Sequence, residues 1–68
     1  MLNYTVRQLD ADGNVLCEIT IEATNYNSAL CSLPSLAEGC HKIIVFNGEG
    51  EKAGEVGAGF WQQRIRRK

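Results

Sequence analysis

The sequence predicts an α+β domain of ββαββ order, with about four strands in one mainly antiparallel sheet and a single helix packed on one face. Three observations carry the prediction. Two stretches rich in turn-forming residues, Asp10-Ala11-Asp12-Gly13-Asn14 and Asn47-Gly48-Glu49-Gly50, each divide a pair of strand-like segments, the pattern of a β-hairpin. Between those hairpins Tyr26, Ala29, Leu30 and Leu33 fall at i, i+3, i+4 and i+7, one apolar stripe at helical spacing. Finally, Ile43-Ile44-Val45-Phe46 is the densest β-branched and aromatic run in the chain, and it is apolar on both faces because successive strand side chains alternate. Such a strand needs cover above and below, so it is expected inside the sheet.

From Leu2 onward, Leu2, Tyr4 and Val6 alternate with Asn3, Thr5 and Arg7, the period of a half-buried strand that ends near Leu9. Asp12-Gly13 suits the positive φ of a tight reversal. Asp10, Asp12 and Asn14 also have the spacing of the first ligands of a calcium loop, but the bend glycine is misplaced and Ile21 stands where a bidentate glutamate is required. In the second strand, Val15, Cys17, Ile19 and Ile21 form a core face and Leu16, Glu18, Thr20 and Glu22 a wet one. Cys17 then serves as a small hydrophobe.

Thr24-Asn25 offers a helix cap, and Pro34 ends the helix because it lacks the N–H that an interior turn needs. Ser35 to Glu38 is read as an irregular or 3₁₀ turn closed by Gly39, with Leu36 plugging the core. After the central strand, Ala53 to Val56 is a short fourth strand. Five of the seven glycines lie between residues 48 and 59, yet their order matches no phosphate loop and Glu49, Glu51 and Glu55 would repel an anion. Residues 1–59 are therefore read as one domain, followed by a basic C-terminal segment, 60–68, as a short helix or an extended tail. A helical turn after the glycines would pair Trp61 with Ile65. Phe60 and Trp61 are expected to form the lid over the second face of Ile44 and Phe46.

A chain of 68 residues is at the edge of what one hydrophobic core can stabilise, and small domains commonly add disulfides, metal or oligomerisation. The three cysteines, Cys17, Cys31 and Cys40, are an odd number with no CxxC pair, and Met1 to Arg7 alternates instead of forming the apolar stretch of a signal peptide. Reduced thiols and a cytoplasmic location are expected, with no membrane partner, and the Asn3-Tyr4-Thr5 glycosylation triplet is then coincidental. Charge is unevenly placed. Residues 1–63 carry eight acids against three bases, whereas Arg64, Arg66, Arg67 and Lys68 are all cationic. A tail of that kind suits a negative partner, whether nucleic acid, a membrane surface or the acidic body of another copy.

Chemistry has few candidates in this sequence. Cys40-His41 is the one Cys–His adjacency, but neighbours entering a strand project to opposite faces and no third, orienting group is identifiable. Zinc held by Cys17, Cys31, Cys40 and His41 would lack the short ligand pairs of structural zinc sites. The expectation is a small interaction module with no catalysis, metal or cofactor, binding a protein partner or its own copy through Phe60, Trp61, Arg64, Arg66, Arg67 and Lys68. The alternative is a nucleic-acid accessory protein, with stacking from Trp61 and phosphate contacts from the Arg/Lys tail. A Cys/His enzyme or zinc site is the remote third reading.

Overall fold

The computed structural model describes residues 2–65 and contains four strands: β1 (Leu2–Leu9), β2 (Val15–Ala23), β3 (Lys42–Phe46) and β4 (Lys52–Gly57). They form one sheet in the order β2-β1-β3-β4, with every neighbouring pair antiparallel. The α+β class and the interior place of Ile43 to Phe46 are as the sequence predicts. Helix α1 (Tyr26–Cys31) follows the first hairpin, and α2 (Ala58–Phe60), which continues as a π-helical turn over Trp61–Ile65, follows the second.

Both hairpins turn by the same device. Asp10 N donates to Asn14 O at 2.9 Å and Gly13 N to Asp10 O at 3.1 Å, while the Asp10 carboxylate accepts the N–H groups of Asp12 and Asn14 at 2.9 and 2.8 Å. In the second turn Asn47 N donates to Glu51 O at 2.8 Å and Gly50 N to Asn47 O at 3.0 Å, while the Asn47 carboxamide oxygen accepts Glu49 N and Glu51 N at 2.9 and 3.0 Å. Gly13 and Gly50 take the positive φ, 90° and 85°, that closes a three-residue hairpin loop. Two residues past each turn the outer strand carries a bulge, at Leu16 and at Ala53.

The correspondence extends through the fold. Adding 37 to the residue numbers of the pairs Gln8↔Cys17 and Leu9↔Val15 gives Val45↔Gly54 and Phe46↔Lys52. The same shift turns Arg7 into Ile44, and these two residues are paired where β1 meets β3. The domain is thus two ββα halves related by a pseudo-dyad through the Arg7–Ile44 pair, each half pairing the other along its first strand.

One face of the sheet carries the core. Tyr4, Val6, Ile43 and Val45 point there and are buried with Ala29, Leu30, Leu33 and Trp61. Asn25 caps α1 by accepting Ser28 N at 2.8 Å on its side-chain oxygen, and the chain then leaves the helix through Leu33, which stays buried. The irregular return to β3 is fixed by Gln8, a buried polar side chain on the core face. Its Oε1 accepts Ala37 N at 2.6 Å and its Nε2 donates to Ser35 O at 3.5 Å, so the loop satisfies the amide that the strand buries. Gly39, at φ 86°, lets the chain turn back toward β3.

Two expectations are corrected. Val15 does not share the core face with Cys17: the bulge at Leu16 pairs Val15 with Leu9 and Cys17 with Gln8, adjacent β1 residues on opposite faces, and Val15 is 55% exposed. Trp61 does not lie over Ile44 and Phe46. It packs into the core on the α1 side, where its indole N–H donates to Leu30 O at 2.8 Å. Ile44 and Phe46 are half-buried instead by polar neighbours on the open face.

Candidate functional site

The structure divides the residues of the C-terminal segment. Trp61 is 1% exposed and belongs to the interior, whereas Phe60 beside it is 55% exposed. The division follows from the helical turn: with Trp61 and Ile65 held against the core, Phe60 and Arg64 are left outside. Ala58 N donates to His41 O at 3.0 Å, anchoring the start of the segment beside β3. Arg66, Arg67 and Lys68 lie outside the described residues. Of the six predicted contact residues, the structure therefore places Phe60 and Arg64 on the surface and Trp61 in the core. The spacing of Trp61 and Ile65 was the signal for its inward direction.

The open face of the sheet is laced by ion pairs. Arg7 Nε donates to Glu18 Oε2 at 2.7 Å, and the Arg7 guanidinium also lies 4.7 Å from the centre of the Phe46 ring. Lys42 and Lys52 both reach Glu55, the former at 3.3 Å. The Lys52 and Lys42 ammonium groups hold the Glu55 carboxyl below its ordinary value of 4.5. The Asn14 N–H, together with weaker donors in the same turn, holds Asp10 below 3.8. For both groups the depressed pKa means stability that is complete above the ordinary value and is lost as pH falls through the lowered one. Acid should therefore lower the urea midpoint progressively from about pH 4.5 downward, and Glu55→Gln should flatten part of that decline in a pH series of urea titrations.

Cys40 and His41 are not assembled as a nucleophile and its base. The Cys40 thiol donates to Lys42 O at 3.5 Å, and burial pushes its pKa up, opposite to the direction that favours a reactive thiolate. His41 is exposed at the mouth of β3. Cys17 is half-buried and Cys31 exposed, and no group of three or more His, Cys, Asp or Glu among the described residues is placed to hold a metal ion. A cleft of about 420 Å³ opens beside the second turn, lined by Leu2, Asn3, Tyr4, Asn47, Gly48 and Glu49. The Asn47 carboxamide oxygen there is already committed to the turn, and the lining holds no thiol or imidazole.

The remaining surface feature is the rim of the sheet. β2 is an edge strand, and Cys17, Ile19 and Ile21 along it are only half-buried, with Ile19 and Ile21 packed against the core. The alternation of these residues places them on the core face but carries no sign of the edge, because strand order is not written in local pattern. No helix among the described residues is long and apolar enough to cross a membrane. No family model, no curated protein and no solved structure matches this chain.

Proposed function

We propose that the chain is a small interaction module without catalytic activity, which docks a protein partner through Phe60 and the cationic residues that follow it. The observation that carries this reading is the contrast between adjacent aromatics. Trp61 is locked in the core and so turns Phe60 toward solvent, with the exposed Arg64 one turn further on. A pre-positioned ring loses little freedom on binding, and a nearby arginine adds orientation and on-rate. The partner that fits is a protein surface with an apolar pocket bordered by carboxylates.

Immobilised wild-type protein and Phe60→Ala should then differ in what they retain from a lysate of the source cells. The expected result is a protein retained by the wild type at moderate salt and lost in the variant. Identical retained sets would overturn the reading. Retention of nucleic acid that disappears steeply with salt would favour the polyanion-binding alternative, in which Phe60, not the buried Trp61, supplies the stacking surface.

A further inference from the structure

We infer that β2 is a self-association edge: two copies of this chain join along it, antiparallel and two-fold symmetric, with Ile19 on the axis, into one continuous sheet of eight strands. Among the described residues, the sheet order leaves the outer side of β2 unpaired along Val15–Ala23, the longest strand. Bare edges are commonly blunted by shortness, lysine, proline or a bulge; apart from Glu18, Glu22 and a bulge near one end at Leu16, β2 carries no such device. The opposite rim does: β4 is six residues long and carries Lys52, Gly54 and Gly57. The one irregularity of β2 is the bulge at Leu16, which leaves Cys17 onward as the regular stretch.

Charge and burial together select the register. Antiparallel two-fold pairing must be centred on a residue, and centring it on Glu18 or on Thr20 sets glutamates opposite one another, Glu18 against itself or Glu18 against Glu22. Centring it on Ile19 sets Glu18 opposite Thr20 of the second copy, Cys17 opposite Ile21, and Ile19 opposite its own equivalent. All three half-buried residues of the core-face column then meet apolar partners. A centre on Ile21 also avoids facing carboxylates, but it pairs Ile19 with Ala23, which is already 3% exposed and gains nothing. Glu18 is moreover neutralised by Arg7 of its own chain, which lowers the repulsion left at the joint. Phe60 follows the other rim of the sheet, so each copy in the dimer keeps its docking surface and the pair becomes bivalent.

The test uses the full chain. Wild-type protein at micromolar concentration should have a solution mass of twice 7.5 kDa, and Ile19→Lys should halve it while keeping the wild-type circular dichroism. Under mild oxidation Ile19→Cys should form an intermolecular disulfide, because directly opposed antiparallel residues lie within bridging distance. With the exposed Cys31 replaced by serine in every variant, Thr20→Cys and the otherwise wild-type chain, whose Cys17 faces Ile21, should not. A monomeric wild type would overturn the inference, as would cross-linking of Ile19→Cys no faster than of Thr20→Cys. A dimer that survives Ile19→Lys but is lost in Phe60→Ala would also overturn it, by assigning self-association to the Phe60 surface.

Discussion

Trp61→Ala is expected to cost about 3–5 kcal/mol, the range for truncating a buried aromatic, and so to leave a chain of this size largely unfolded at room temperature. Trp61 is among the largest fully buried side chains, at 1% exposure. Its loss also removes a hydrogen bond that links the two halves of the fold. Leu30 O, near the end of α1, accepts both Leu33 N at 3.3 Å and the Trp61 indole N–H at 2.8 Å. Trp61→Phe should therefore be milder: it keeps much of the apolar area and leaves Leu30 O with one donor, a loss of about 1 kcal/mol from the hydrogen bond in addition to the reduced ring. Phe60→Ala, one residue away, should stay within about 0.5 kcal/mol of wild type because its ring is mostly in water. Urea unfolding followed by far-ultraviolet circular dichroism separates the three. Equal midpoints for Trp61→Ala and Phe60→Ala would show that the tryptophan does not hold the core together.

How much of this was legible beforehand depends on whether the information is local. The Tyr26, Ala29 and Leu30 part of the α1 stripe, the Asn25 cap, the two reversals and the interior strand are all expressed within a few residues and are in place, whereas α1 ends at Cys31 and Leu33 is buried from beyond the helix. What escaped depends on pairing. The bulge at Leu16 inverts Val15, and a bulge exists only with respect to a partner strand. Of the neighbouring aromatics Phe60 and Trp61, only the second has an apolar partner one turn on, Ile65, and the carbonyl at Leu30 that receives its indole N–H lies thirty-one residues away in sequence. The second face of Ile44 and Phe46 has no apolar lid: the Arg7 guanidinium lies over the Phe46 ring, and Arg7, Lys42 and Lys52 pair there with Glu18 and Glu55. The pseudo-dyad was equally hidden. Its two halves share turn chemistry, Asp10 with Asn47 and Gly13 with Gly50, but equivalent core positions range from Gln8 against Val45 to Cys17 against Gly54.

That last substitution explains the second large effect. Gly54→Ala is expected to cost about 1–3 kcal/mol, although an alanine would ordinarily favour a strand over glycine. A Cβ on Gly54 would lie 2.7, 2.8 and 2.9 Å from the ring and hydroxyl of Tyr26, closer than such atoms can approach. Gly54 faces the core side of β4, opposite Val45, so its missing side chain is the slot into which the first residue of α1 is laid. Burial raises the Tyr26 phenol pKa above its ordinary value, with a further push from Glu55 on the same strand, which fits a ring held against β4. Gly57→Ala provides the control: nothing lies within 4 Å of the added atom and φ is −75°, so a neutral or slightly stabilising effect, under about 1 kcal/mol, is expected there from the stiffer unfolded chain. A double-mutant cycle tests the contact itself. Tyr26→Ala empties the slot's occupant, so Gly54→Ala should cost far less in that background than in the wild type, leaving the double mutant more stable than the sum of the single losses. Urea midpoints of the four proteins give the answer, and strictly additive losses would mean that Tyr26 does not rest on Gly54.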